Sequence, residues 1–320
     1  MKKTATTFLF GMIFMVSAHA QTPNFKGLNG LVLDSTYTTS ADGTRTFKSV
    51  FFYNSNKDLT SMESYDYDEN MSAFLSTRAE ITYQNDGYIE SEIFYDKDEE
   101  TGEFVMTSKY VFSEWNEINK EPGVSIIYVL DEDNPEAGLQ PAGKQEIFFN
   151  DNGLPLDYHL YELNENDDWE LAGKGHLEYN EDGVLVSDEG SMTMEVEGET
   201  YNYQTMTTYE YDGHGNVSKE ITTTKMFGMV MGTTTIIYEN EYYDDGNLKM
   251  IKSDTDRGYA EHEIEFEYYF WGNGNTTLIR SIEAAKKLAG IYFDLSGRRH
   301  QGTPTEKGIY IIEGRKVIVE

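Results

Sequence analysis

Tyr201-Asn202-Tyr203-Gln204-Thr205-Met206-Thr207-Thr208-Tyr209-Glu210-Tyr211-Asp212-Gly213-His214-Gly215-Asn216-Val217 decides the fold class. Through Tyr211, Tyr and Thr recur at every second position with mostly polar residues between them. That spacing sends one set of side chains to each face of a β-strand. A polar turn follows, with Gly215 four residues after Tyr211, and Val217 restarts a strand. Ile264, Phe266 and Tyr268 show the same alternation.

The unit recurs along the chain. An aromatic strand end, an Asn/Asp turn and a glycine four residues on appear at Tyr83 to Gly87, Phe149 to Gly153, Tyr179 to Gly183, Tyr211 to Gly215, Tyr242 to Gly246 and Phe270 to Gly274. Weaker copies at Tyr53 to Lys57 and Phe112 to Asn116 replace the glycine. Positions 57, 87, 116, 153, 183, 215, 246 and 274 are 30, 29, 37, 30, 32, 31 and 28 apart. About thirty residues hold two strands and two turns, so each unit reads as one long hairpin. The chain has 24 Tyr and 17 Phe, which suit a pleated, half-buried surface, and almost no Pro inside the strands. The expected fold is all-β: about eight antiparallel hairpins over residues 21–279, forming an extended meander that is twisted or curled, plus a small C-terminal β module in 280–320. Ile282 to Ala289 is the one helix-like stretch and reads as a linker.

Charge divides the chain the same way. Residues 280–320 hold eight Lys/Arg against five Asp/Glu, whereas 21–279 hold 15 against 52. An acidic excess of this size repels phosphate backbones and anionic surfaces, which excludes nucleic-acid binding and fits solubility outside the cell. Residues 1–20 read as a signal peptide, with Lys2 and Lys3, an apolar run from Phe8 to Val16, and Ala18-His19-Ala20 before the cut. The run is far below the ~20 residues of a membrane span, and no later stretch approaches that length. With no cysteine there is no lipid-attachment residue, disulfide, thiolate metal site or thiol nucleophile.

Tyr211-Asp212-Gly213-His214-Gly215-Asn216-Val217 and Tyr243-Asp244-Asp245-Gly246-Asn247-Leu248 resemble the YD-type repeats of bacterial surface and secreted proteins. The resemblance implies an extracellular β scaffold. Further on stand Ile291-Tyr292-Phe293-Asp294-Leu295-Ser296-Gly297-Arg298-Arg299, Lys307-Gly308-Ile309-Tyr310-Ile311-Ile312 and Gly314-Arg315-Lys316-Val317-Ile318-Val319, three short apolar strand candidates. This tail resembles the C-terminal sorting domain of the type IX secretion system of Bacteroidota, carried by Gly297, Arg298, Gly308, Tyr310, Lys316 and Val317. It implies the secretion machinery as a partner and the cell surface or medium as the destination. A tail that only caps the array, in the periplasm, is the alternative.

Catalytic parts are scarce. There is no Gly-x-Ser-x-Gly elbow, and His159, His176, His214, His262 and His300 lie far apart without a zinc pattern. Gly272-Asn273-Gly274 and Gly213-His214-Gly215 lack the strand-to-helix setting of a phosphate loop. Asp66-Tyr67-Asp68-Glu69-Asn70 and Asp96-Lys97-Asp98-Glu99-Glu100 begin like calcium loops, but Met71 and Thr101 stand where glycine is needed and Thr77 and Thr107 where glutamate is. No metal or cofactor is expected, and the acidic turns read as solvated. Trp115, Trp169 and Trp271 lie at or beside turns and are the candidate ligand-binding residues, for a glycan or protein ligand. The leading expectation is a non-enzymatic secreted or surface scaffold or binding protein. A polysaccharide-active enzyme using Asp/Glu pairs is the alternative.

The tail gives the first test. Deleting residues 281–320 should leave the melting temperature of the body nearly unchanged and, in a host with type IX secretion, trap the protein in the periplasm. A truncated chain that aggregates, or still reaches the surface, contradicts the sorting reading.

Overall fold

The computed structural model describes residues 25–274 apart from 69, 99, 132–133, 165, 197–198 and 260, and the backbone of 290–294, 299–302, 308–312 and 315–319. The proposed signal peptide, the linker at Ile282 to Ala289, and Gly297 and Arg298 lie outside the described residues.

The body is all-β. Its strands are β1 (Val32–Ser40), β2 (Arg45–Tyr53), β3 (Leu59–Tyr67), β4 (Ala73–Tyr83), β5 (Ile89–Lys97), β6 (Phe104–Trp115), β7 (Pro122–Leu130) and β8 (Leu139–Phe149). They continue as β9 (Pro155–Leu163), β10 (Trp169–Tyr179), β11 (Leu185–Val196), β12 (Glu199–Tyr211), β13 (Val217–Met226), β14 (Met229–Tyr242), β15 (Leu248–Asp256) and β16 (Glu263–Gly272). Each strand pairs antiparallel with its neighbours in sequence, and β16 pairs with β1, so the sheet is a closed barrel. The open meander expected from the sequence is thereby corrected. An open sheet would leave two unpaired edges, and pairing the first strand with the last removes both. Among the described residues the helical segments are single 3₁₀ turns at Leu28–Gly30 and Pro135–Ala137.

The turns explain the sequence motif. In Tyr53 to Leu59, the Asn54 side chain accepts the amides of Asn56 and Asp58, Lys57 has φ 65°, and pairing slips between Phe52 and Tyr53. This is a three-residue loop whose last residue is left-handed and opens a bulge, which is why glycine stands there in most copies. Asn150, Asn180 and Asp212 accept amides in the same way, before Gly153, Gly183 and Gly215 at φ 80°, 78° and 86°. Asn116 departs from the expected pattern. It opens a longer turn and accepts the Ile118 amide, and the left-handed residue there is Lys120. Bulges increase right-handed twist, and one beside nearly every turn at this end coils the sheet toward closure.

The same end is clamped by aromatics. Tyr53, Tyr83 and Tyr211 donate their hydroxyls to the carbonyls of Leu33, Leu59 and Leu185, and Trp271 donates its indole N–H to that of Leu248. Each clamp ties the last residue or two of an even-numbered strand to the start of the strand before it. Segment 25–31 folds into this end, with the Leu28 amide on the Asn247 side chain and the Phe25 ring edge-on to Phe51. Leu33, Phe51 and Tyr269 form one buried cluster there, and Ile127, Val129, Tyr158, Leu160, Leu177, Leu185, Tyr209 and Val217 form the other along β7–β13.

The C-terminal region adds four short strands, β17 (Gly290–Asp294), β18 (Arg299–Gly302), β19 (Gly308–Ile312) and β20 (Arg315–Val319), in the order β18-β17-β19-β20. Three were expected. The extra strand is the polar Arg299–Gly302, whose lack of apolar alternation hides it from a sequence reading. Gly308 and Tyr310 lie on β19, paired with Val319 and Val317, and Lys316 on β20 pairs with Ile311.

Gly175 shows how closely the inner wall is fitted. The Tyr158 ring lies flat across it and Gly190, and a methyl group at 175 would overlap the ring. Gly175→Ala should therefore lower stability by about 1–3 kcal/mol in urea unfolding. Gly183→Val, at a left-handed turn residue, should cost about 1 kcal/mol or more. An unchanged unfolding midpoint in both variants would contradict the packing described.

Candidate functional site

Closure gives every strand an inner and an outer face, and the two faces differ in chemistry. The inner face carries Tyr158 on β9, Asp188 on β11, Tyr209 on β12, Glu220 on β13, Tyr238 on β14, Glu267 and Tyr269 on β16 and Thr36 on β1. Cross-strand register brings them together: Thr207 opposite Asp188, Tyr209 opposite Glu220, Tyr269 opposite Thr36. Tyr238 donates to Glu220 Oε2 at 3.3 Å, Thr222 to Glu220 Oε1 at 3.2 Å, Tyr269 to Glu267 at 2.7 Å and Tyr209 to Asp188 at 3.5 Å.

Burial dominates the electrostatics of this wall. It pushes the Asp188 carboxyl up to about 6, with Glu220 nearby adding to the shift and the Tyr209 hydroxyl opposing it. Burial likewise raises Glu220 and Glu267, and raises Glu92 on β5 to about 7. Tyr110, across from Glu92, rises to about 12 for the same reason, with the Glu92 charge adding to it. Desolvation favours the neutral form of each group. The inner wall is thus a ring of tyrosines and acids that fold most readily with the acids protonated.

The outer face is strongly charged. Glu63–Arg78, Lys144–Glu146, Glu210–Lys219, Glu239–Lys252 and Glu241–Lys249 pair across or along strands at 3.3, 2.5, 3.0, 2.6 and 3.0 Å. On β9–β13 this face sinks into a groove of about 490 Å³. Two cross-strand rows line it. One runs Asp157, His176, Glu189, Met206, Thr223, and the other Lys174, Ser191, Gln204, Lys225. Gly175 and Gly190, whose side-chain positions face inward under Tyr158, contribute only backbone to the floor of the groove. Asp157 and His176 meet at 2.7 Å. The groove presents both signs of charge, a hydroxyl, an amide and a thioether.

The three tryptophans are not brought together. Trp115 ends β6 and packs its ring near Tyr88 at 5.3 Å, Trp169 opens β10 at the other end of the barrel, and Trp271, half-buried beside Gly27, packs against the cluster of Leu33, Phe51 and Tyr269. The carboxylates of the calcium-like stretches serve the fold: Asp68 and Asp98 accept amides of their own turns, and Asp96 accepts the hydroxyls of Thr77 and Thr107. Among the described residues no three His, Asp or Glu side chains converge as a metal site. His214 stacks on Tyr242 at 3.9 Å, and His262 pairs with Asp254 at 2.7 Å. The groove residues escape a sequence reading because Asp157, His176, Glu189 and Lys225 become neighbours only through strand register.

No family model matches the chain, and no curated protein matches it. Among solved structures, a protein of unknown function from Bacteroides fragilis is similar at 13% identity, over 39% of this chain and 88% of that one, with a TM-score of 0.34. A porin-like protein from Bacteroides uniformis is similar at 11% identity, over 75% of this chain and 98% of that one, with a TM-score of 0.39. The toxin complex TcdB2-TccC3 is similar at 11% identity, over 73% of this chain and 16% of that one, with a TM-score of 0.23. Likenesses this distant carry no argument about what this chain does.

The inner wall predicts a pH dependence. Because Asp188 titrates near 6 in the fold and near 3.8 when unfolded, the fold binds the extra proton between those values, and stability falls as pH rises through that window. Asp188→Asn, which keeps an acceptor for Tyr209, should flatten that fall and stabilise the protein at pH 8 by about 2–3 kcal/mol in urea unfolding. A variant no more stable than the parent at pH 8 would contradict the assignment.

Proposed function

We propose that the chain is an exported, non-catalytic binding barrel that stands in water at the cell surface or in the medium and takes a glycan segment in the outward groove of β9–β13. The groove carries this reading, since its carboxylates, ammonium groups, amide and hydroxyls surround a backbone floor that a hydroxyl-rich ligand can approach closely. The charged outer wall supports the aqueous setting, because a barrel that crosses a bilayer presents an apolar band ~25 Å tall. No helix among the described residues is long and apolar enough to cross a membrane, which by itself says nothing of a barrel. The basic tail supports export by the type IX route.

A second reading has one specific observation behind it. Asp188 and Glu220 are neighbouring buried carboxylates with raised pKa values, a pairing that glycoside-cleaving enzymes use. Both are engaged by wall tyrosines within the packed inner face, which favours the binding reading.

A glycan array probed with the purified protein tests the proposal. The parent should retain a defined set of glycans without altering them, and Lys174→Ala combined with His176→Ala and Gln204→Ala should lose that retention while keeping its melting temperature. Retention unchanged in the triple variant would overturn the groove assignment. Cleavage of the glycans, abolished by Asp188→Asn, would establish the enzyme instead.

A further inference from the structure

The hairpin that joins β13 to β14 departs from every other described turn of the barrel. Met226-Phe227-Gly228-Met229-Val230-Met231 forms its tip, and from Met226 to Tyr238 thirteen residues pass without a charge in a chain of net charge −32. Every other described turn holds at least one charged or amide side chain. Phe227, Met229, Val230 and Met231 are 59–62% exposed, so the apolar groups point into solvent. The tip is a two-residue turn with Met226 opposite Met229, and Phe227 and Gly228 both have positive φ, at 53° and 74°. That geometry favours Asn-Gly or Gly-Gly, and a phenylalanine there is strained and poorly suited to the turn. Folding alone does not account for the residue chosen.

We propose that this tip is a peripheral membrane anchor that inserts into the interface of an uncharged, zwitterionic lipid bilayer. Three observations select that partner. The tip is layered as an interfacial anchor is: apolar at its end, with the Tyr201 ring 5.3 Å from Phe227 and Lys225 two residues before Phe227 on β13, the kind of amphipathic side chains that meet headgroups. Its three methionines and one phenylalanine are adaptable groups that suit a fluid phase more than a shaped pocket. A second copy of the chain is disfavoured, because tip-to-tip contact would bring two strongly acidic bodies together, and the same charge disfavours an anionic surface. The anchor stands apart from the groove reading, since Lys174, His176 and Gln204 take no part in it. Lys225, which lines the groove, lies two residues before Phe227, so insertion of the tip would bring that end of the groove close to the membrane.

Sedimentation of the full exported chain with phosphatidylcholine vesicles tests the anchor. The parent should bind, with little loss in 0.5 M salt and weaker binding when anionic lipid is added. Phe227→Asn combined with Met229→Ser, Val230→Thr and Met231→Ser should bind at least tenfold more weakly. Asparagine suits the left-handed turn position, so the melting temperature should hold or rise. The groove triple variant should bind vesicles as the parent does. The single variant Phe227→Trp should show a blue-shifted emission with vesicles. A parent that leaves the vesicles in the supernatant, a tip variant that binds equally, or a dimer that the tip variant converts to monomer would overturn the proposal, the last in favour of self-association.

Discussion

The pairing of β1 with β16 is the constraint on which the barrel depends. Eight register positions from Val32–Gly272 to Ser40–Glu265 join two strands more than 220 residues apart in sequence. Without them the sheet has two long edges, a fully solvated inner wall and no reason to bury Tyr269 or Phe51. With them, segment 25–31 has an end to fill, and Trp271 can clamp Leu248 from the last strand. The seam is reinforced outside by the Tyr37 ring stacked on Tyr268 at 4.6 Å. Loop closure over so long a chain is slow and entropically demanding, and the bulge beside each Asn/Asp turn lowers that demand by coiling the sheet as each hairpin forms.

Once closed, the barrel must decide what to put inside. A wall of this size offers more inward positions than aliphatic residues can fill, and the chain uses tyrosine, threonine and buried acids. Tyr158 reaches over Gly175 and Gly190, Tyr209 stands between Asp188 and Glu220, and Tyr238 bridges from Glu220 toward Tyr269. The hydroxyls of Tyr209, Tyr238 and Tyr269 give Asp188, Glu220 and Glu267 a partner, which limits the penalty of burying those carboxyls. The outer face then carries the ion pairs. Exposed pairs of this kind contribute little each to stability. They make the wall polar, and the apolar exceptions therefore stand out, the β13–β14 tip most of all.

Strand identity, the turn chemistry and the all-β class were legible in the sequence, because alternation, aromatic strand ends and Asn/Asp–Gly turns are local signals. The Tyr201–Tyr211 stretch is β12 almost as read, and Gly183 and Gly215 have the left-handed backbone that their place in the turn implies. Closure was not legible, since nothing in Val32–Ser40 or Glu263–Gly272 marks them as partners. The tryptophans were singled out for standing near turns, yet the Trp271 indole is held in a clamp and the three stand on three different strands. The groove was hidden for the same reason as closure: Asp157 and Lys225 are 68 residues apart and meet only through four successive strand registers. The tip was in plain view as a charge-free run, but its turn geometry and exposure gave the run its meaning.

The closed barrel itself can be tested in one measurement, helped by the absence of native cysteine. Tyr37→Cys and Tyr268→Cys place two thiols on directly opposed outer positions of the β1–β16 seam. Under mild oxidation the double variant should form an intramolecular disulfide in high yield, seen as a faster band on a non-reducing gel that reducing agent abolishes. The single variants should not. A double variant that stays reduced, or that cross-links only between molecules, would mean that the first and last strands are apart, and the closed barrel would be contradicted.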